Sequence, residues 1–248
     1  MDMSSHMEAN APNMRNCTVG NQAHIEPNVM LGYKYTNWKE PLRLGDYPLI
    51  HSGAVIYSDT EIGNYFTCGH NVTIRAQCII GDRVVILHGC TLEGKVIIGK
   101  GVKIMANVYI PSQTVIGNMV FIGPGTHFLN ALFPMRKLGI SGPKVGNNVV
   151  IGGGVTINPG VVIGDNVFVA SGTTVIRDVP SNSLVYGCPG VNKSLPARFG
   201  KRNDPVQIFC GLDLWNGYRD DDSWRIEDFF GKEDWLSDSD NTRDINTK

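Results

Sequence analysis

His70 and His88 stand eighteen residues apart, and Asn71, Gly89, Asn107 and Gly125 repeat at the same interval one place further on. An imidazole exchanges a proton near neutral pH, whereas a neutral amide orients a neighbouring group and cannot act as a base. If residues eighteen apart are neighbours in space, His70, His88 and Asn107 form one cluster that can move a proton and hold a polar group beside it. The plain alternatives are an outward histidine with a structural hydrogen bond and an asparagine ladder along the backbone. His127, Asn130 and Arg136 are the polar side chains of a second stretch, set among apolar residues.

The elements that must position these residues follow from a period of six. Leu44, Ile50, Ile56, Ile62, Cys68, Ile74, Ile80, Ile86, Leu92, Ile98, Ile104, Ile110, Ile116, Ile122 and Phe128 succeed one another without a gap. A second track four residues later is small or β-branched and includes Ala54, Val72, Val96, Val102, Val108, Val120 and Thr126. A repeat this short cannot bury its own apolar face, so successive turns must stack and share a core. Apolar-Gly pairs at Leu44-Gly45, Ile62-Gly63, Ile80-Gly81, Ile98-Gly99 and Ile116-Gly117 fall eighteen apart, so three hexads close one coil of a three-walled prism. Residues eighteen apart then stack at about 4.8 Å, the spacing of adjacent strands. That puts His70 above His88 in one column on a prism wall. Glycine followed by Asp, Asn or Lys supplies the permissive backbone of a corner.

The register breaks after Phe128 and resumes at Val145-Gly146, which predicts a protruding loop over 129–144. A shorter interruption is expected over 33–43, within an earlier turn marked by Val19-Gly20, Ile25 and Leu31-Gly32. Long loops on rigid scaffolds are where function concentrates. The chain therefore divides into a flexible start (1–18), a β-helix (19–195), a C-terminal extension with a short helix (196–236, the helix within 223–236) and a disordered tail (237–248).

With 22 Lys plus Arg against 23 Asp plus Glu, the net charge of -1 gives no electrostatic case for nucleic acid or an anionic membrane. No apolar run approaches the roughly 18 residues of a membrane span, and the polar start lacks a signal-peptide core, so a cytoplasmic location is expected. The six cysteines make no CxxC pair, and Cys68, Cys78 and Cys90 occupy hexad positions where a thiol packs as a small hydrophobe.

The hexads, Gly123-Pro124-Gly125, the loop from Phe128 to Arg136, and the endings Val175-Ile176-Arg177-Asp178-Val179-Pro180 and Val185-Tyr186-Gly187-Cys188-Pro189-Gly190 resemble the hexapeptide-repeat acyltransferases. The loop is similar to that of enzymes that N-acylate nucleotide-linked amino sugars. The resemblance covers roughly residues 19–195. It implies an all-β chain coiled as a left-handed parallel β-helix, against the usual right-handed crossover. It also implies a homotrimer, with acetyl-CoA as the cosubstrate along the groove between neighbouring β-helices, the sugar nucleotide at an inter-subunit site, and no metal.

In this family N-acylation needs an unprotonated amine, a polarised thioester carbonyl and a route for the proton of the tetrahedral intermediate. Leu87-His88-Gly89-Cys90 is similar to the His-Asp-Cys stretch that carries the base in one branch, so His88 becomes the candidate acceptor of that proton. Glycine stands where that stretch has aspartate, and the partner that would orient the ring is absent or comes from elsewhere. Asn107 matches an asparagine near the substrate amine in another branch, where the amine attacks unaided and its proton passes to the departing sulfur. His70, His127, Asn130 and Arg136 are the expected substrate contacts, with Pro134 and Arg136 approximating the family's proline-arginine pair. Gly152, Gly153, Ala170 and Ser171 are expected to let the pantetheine amides approach, and Lys193 and Arg198 to meet the CoA phosphates.

Other readings stay open. The same scaffold serves O-acetylation of small hydroxyl acceptors, with His127 as the loop-region histidine. The γ-type carbonic anhydrases share the fold and hold a metal with histidines, for which His70 and His88 are the candidates. A non-catalytic assembly subunit is the third possibility.

Overall fold

A computed structural model describes residues 12–34, 40–133, 139–200 and 203. The expectations for Trp38, Pro134, Arg136, the short C-terminal helix and the tail lie outside those residues.

Within them the chain is a parallel β-helix of 27 short strands and a single 3-10 turn at Ala197–Phe199. The strands form three sheets of nine, eight and ten members, each sheet taking every third strand. The first wall runs from Asn13–Met14 to Thr174–Val175, the second from Cys17–Val19 to Val162–Ile163, and the third from His24–Ile25 to Ser183–Tyr186. The third wall ends in an antiparallel strand, Val191–Ser194, which pairs back on Ser183–Tyr186. Asn13–Met14 and Cys17–Val19 both begin before residue 19, so among the described residues the first strand of the coil is Asn13–Met14.

The eighteen-residue register holds on all three walls. Thr73 pairs with Thr91, Ile79 with Ile97 and Val85 with Lys103. The residues of the six-beat series are buried, with Ile50, Ile56, Ile74, Ile86, Leu92, Ile104, Ile110 and Ile122 at 0% exposure. The second track, Ala54, Val72, Val96, Val102, Val108 and Val120, fills the space between them. Each buried Ile or Val removes on the order of 1.5–3 kcal/mol worth of apolar surface from water. The continuous column is therefore the main stabilising feature of a chain whose rungs touch only their neighbours.

The corners have their own chemistry. Between the second and third walls, a backbone N–H repeatedly donates to a side-chain oxygen one coil on: Asp46 to Asn64, Asn64 to Asp82, Lys100 to Asn118, Asn118 to Asn147, Asp165 to Ser181. This is why Asp and Asn follow the corner glycines, with Ser181 in the same place after Pro180. Between the third and first walls, Asn28, Gly53, Asn71, Gly89, Asn107, Gly125, Gly154 and Gly172 all have positive φ, from 57° to 79°. That left-handed conformation suits Gly and Asn and is costly for most other residues.

Both interruptions of the repeat fall where the first wall gives way to the second. One lies between Met30–Tyr33 and Leu42–Leu44, the other between His127–Phe128 and Lys144–Val145. The long loop is tied down at its ends: Ser141 N–H donates to the Asn130 carbonyl at 2.9 Å and Gly160 N–H to the Ser141 carbonyl at 2.8 Å. Its side chains Leu129, Leu132, Phe133 and Ile140 are exposed.

The thiols behave as packing groups. Cys68, Cys78 and Cys90 are buried and unpaired by disulfides, and desolvation pushes all three up, Cys78 and Cys90 each to about 11. No helix among the described residues is long and apolar enough to cross a membrane.

Candidate functional site

The third-to-first corner gathers most of the chemically capable residues. The hexad spacing puts His70 and His88 on a wall, whereas they lie at this corner, in the turns that follow Thr67–Cys68 and Val85–Ile86. Their stacking is as the eighteen-residue register requires: the ring centroids are 5.5 Å apart and the planes 19° from parallel. Both are exposed, as is Asn107 one rung further on.

The backbone N–H of His70 donates to Nδ1 of His88 at 3.3 Å. An acceptor at Nδ1 requires the neutral ring to carry its hydrogen on Nε2. His88 therefore presents a donor to solvent, whereas a base acting through Nε2 would need the opposite tautomer. The missing aspartate of the His-Asp-Cys pattern is replaced by a backbone amide of the coil below, and this partner selects the donor form. Gly69 makes the arrangement possible, because a Cβ there would stand 2.9 Å from His88 Nδ1 and 2.7 Å from the His88 backbone nitrogen.

Asn107 has a backbone reason to be asparagine, with φ 59°. Its Oδ1 lies 2.5 Å from where a Cβ on Gly89 would be, so the two residues alternate: an amide on one rung fills the space left by a glycine on the rung below. Asn71 over Gly53 repeats the pattern. The side chain remains exposed beside His88, within reach of a bound molecule.

The same corner continues through Pro124 to Gly152, Gly153, Ala170 and Ser171. From His88 to Ser171 is four rungs, about 19 Å at the strand spacing. Glycine at 152 is demanded by coil packing, since a Cβ would lie 2.5 Å from the Ser171 nitrogen. Gly153 N–H donates to Ser171 Oγ at 3.2 Å, and around Gly154 the space for a Cβ is open.

The remaining expected contacts lie elsewhere. His127 projects from the outer face of the first wall, between Tyr109 and Thr156. Asn130 belongs to the opposite corner of that wall, where its Nδ2 donates to the Ser112 carbonyl at 3.4 Å and fastens the loop. Within one chain the first wall thus separates Asn130 from His88. Lys193 lies over the Tyr186 ring, 5.5 Å from its centroid, and Arg198 over Phe199 at 4.9 Å, so both cations are held by aromatic faces near the C-terminal end.

Two residues of the neighbouring column, Glu26 and His51, meet the histidine column at His70. The His51 ring lies 4.9 Å from that of His70, and Glu26 reaches both: Oε1 is 2.8 Å from His51 Nδ1 and Oε2 is 3.9 Å from His70 Nδ1. The Ser52 N–H holds the same carboxylate at 2.8 Å, and the His70 Nδ1 lies 3.3 Å from the Ser52 carbonyl. Burial would push the Glu26 carboxyl up, but the Ser52 amide, the His51 hydrogen bond and the two imidazoles outweigh it and leave it below its ordinary range. The cluster that His70 joins is this one, so the pairing of His70 with His88 as metal ligands is not what the geometry offers.

Residues 95–130 and 142–177, on either side of the long loop, match the family described as bacterial transferase hexapeptide (six repeats). A Saccharomyces cerevisiae protein assigned as an acetyltransferase is 39% identical over 77 residues, which are 28% of this chain and 39% of that protein. The chain thus spans well under half the length of that curated relative. The solved UDP-N-acetylglucosamine acyltransferase of Bacteroides fragilis 9343 superposes with a TM-score of 0.63 at 18% identity, covering 84% of this chain and 78% of its own. The UDP-N-acetylglucosamine O-acyltransferase of Moraxella catarrhalis RH4 gives 0.61 at 19% identity, over 76% and 74%. At those identities the likeness is one of fold.

Proposed function

We propose that this chain, whose repeats are transferase hexapeptides, is an acyl-CoA-dependent N-acyltransferase. In this reading acetyl-CoA is the donor and the amino group of a nucleotide-linked amino sugar the acceptor. The observation that carries the reading is the hydrogen bond from His70 N–H to His88 Nδ1, which leaves Nε2–H of His88 free to donate outward. A donor at that place suits the oxygen of a thioester as it becomes an oxyanion. The local identity to an acetyltransferase supports the donor class.

The amine nitrogen attacks the thioester carbonyl carbon, and the carbonyl electron pair moves onto oxygen, where His88 donates to it. Collapse of the tetrahedral intermediate breaks the carbon-sulfur bond, and the proton lost by nitrogen passes to the departing thiolate of CoA. Asn107, exposed one rung on, orients the amine. No side-chain base is needed for an amine that arrives unprotonated. A hydroxyl acceptor would need one, and the lone pair of His88 is engaged by the coil below, which favours nitrogen over oxygen as the nucleophile.

CoA lies along the same corner, with pantetheine beside Gly153, Gly154 and Ser171 and the phosphates toward Lys193 and Arg198. Asn130 and Arg136 serve the sugar nucleotide from the loop. Because a wall one hexad wide, roughly 20 Å at most, separates that loop from His88, a pocket that uses both is completed by a neighbouring copy in a homotrimer.

The test is CoA release from acetyl-CoA with a panel of nucleotide-linked 3-amino and 4-amino sugars. Turnover with one of them is expected. Release only with hydroxyl acceptors would replace N-acylation by O-acylation, and failure to bind any acyl-CoA would remove the enzyme reading altogether.

A further inference from the structure

We propose that Glu26, His51 and His70 form a binding site for one divalent transition-metal ion. Each supplies one ligand atom, and the three atoms lie within 4.8 Å of one another. They come from three consecutive coils, Glu26, His51 and His70 each sitting in the third-to-first corner. Two imidazole nitrogens with one carboxylate are a donor set for zinc, nickel, cobalt or iron(II) rather than for calcium or magnesium, which favour all-oxygen shells.

The distances fit a shared ion. Ligands bound at roughly 2.0–2.1 Å stand about 3 Å apart around one metal. The separations of 2.8 Å from His51 Nδ1 to Oε1 and 3.9 Å from His70 Nδ1 to Oε2 of Glu26 bracket that value. Both rings bring Nδ1 close to the same carboxylate, and a cation would take the place of the hydrogen shared by His51 Nδ1 and Glu26 and of the one that His70 Nδ1 directs at the Ser52 carbonyl, 3.3 Å away. The carboxylate is oriented from behind by the Ser52 N–H at 2.8 Å, the kind of outer partner that fixes a metal ligand. The side chains are 27%, 22% and 48% exposed for Glu26, His51 and His70, so solvent can fill the open coordination positions and an ion can enter. His88 takes no part, since its Nδ1 is engaged by the His70 amide.

The ion would sit at the N-terminal end of the histidine column, one ring away from His88, and would fix His70, whose backbone N–H sets the tautomer of His88. The site itself does not depend on the acyltransferase reading.

The test uses the full chain, stripped with chelator and titrated with Co²⁺ while the visible d–d spectrum is recorded, and with Zn²⁺ followed by elemental analysis. One ion per chain is expected, with a rise in melting temperature on Zn²⁺ addition. Glu26→Gln and His51→Gln should each weaken binding at least 10-fold, whereas His127→Gln, on the outer face of the first wall, should leave it unchanged; circular dichroism checks that all three fold. Stoichiometry far below one ion per chain, or saturable binding that both cluster variants retain, would overturn the assignment. Either result is read without an acyl-transfer assay, so CoA release stands or falls separately.

Discussion

The main-chain nitrogen of His70 lies 3.3 Å from Nδ1 of His88, and this one contact decides which way the outer imidazole can work. A ring whose inner nitrogen accepts must donate from its outer one. His88→Ala should therefore lower turnover by about 10²- to 10³-fold, the usual loss for a single oxyanion donor. His88→Gln, which keeps a donor but has no titratable lone pair, should recover a substantial part of that loss. If glutamine and alanine are equally inactive in steady-state kinetics, the ring acts as a base.

Gly69 is the position where a small change should displace His88 without touching it chemically. A methyl group there would stand 2.7 Å from the His88 nitrogen, so backbone must shift. Gly69→Ala should cost about 1–3 kcal/mol, as overpacking does, read as a lower melting temperature together with a reduced kcat.

Asn107 can be separated into its backbone and side-chain parts. Asn107→Gly keeps the left-handed φ and should leave thermal stability close to that of the wild type, whereas Asn107→Ala should lose roughly 1–2 kcal/mol for the strained conformation. If the amide orients the amine, both should reduce kcat/KM by about 10²-fold. Full activity of the stable glycine variant would assign Asn107 to the backbone alone.

The ladder between the second and third walls predicts a graded response. Asn118→Ala removes the acceptor that Lys100 N–H uses at 2.8 Å and should cost about 1 kcal/mol, the net worth of one hydrogen bond. Urea unfolding of the variant provides the number.

Thiol labelling should report the packed core. With Cys78 and Cys90 pushed up to about 11 by burial, the thiolate exists mainly above that pH, and at pH 8 only on the order of one molecule in a thousand carries it. The exposed Cys188 should react with a thiol reagent in the native state, while Cys68, Cys78 and Cys90 should react only on unfolding.

The register was legible because Leu44 through Phe128 keep one beat, and a beat of six with glycine every eighteenth residue admits one way of stacking. What it did not settle was which hexad positions turn. His70 and His88 look like wall residues until the column Asn71, Gly89, Asn107 is recognised as a run of left-handed turns; the alternation of Asn with Gly was the available sign. Glu26 and His51 escaped for a different reason. The insertion over 33–43 lengthens one coil, so Glu26 N–H bonds Ile50 at an interval of twenty-four residues and adding eighteen does not lead from one to the other. His51 further reaches His70 from the neighbouring column, through ring orientation that spacing cannot express. For Gly69 and Gly152, sequence shows only glycine, whereas coordinates show which atoms would collide with a side chain.

The corner that joins His88 to Ser171 also acts as a ruler. Every rung contributes the same step, so the distance between His88 and the glycine-lined stretch beyond Pro124 changes only in whole rungs. Adding or removing whole eighteen-residue coils would lengthen or shorten that distance by about 4.8 Å at a time while leaving each side chain facing as before. The extra residues over 33–43 and 129–144 do not disturb this alignment, since His24 still pairs with Leu49 and His127 with Thr156.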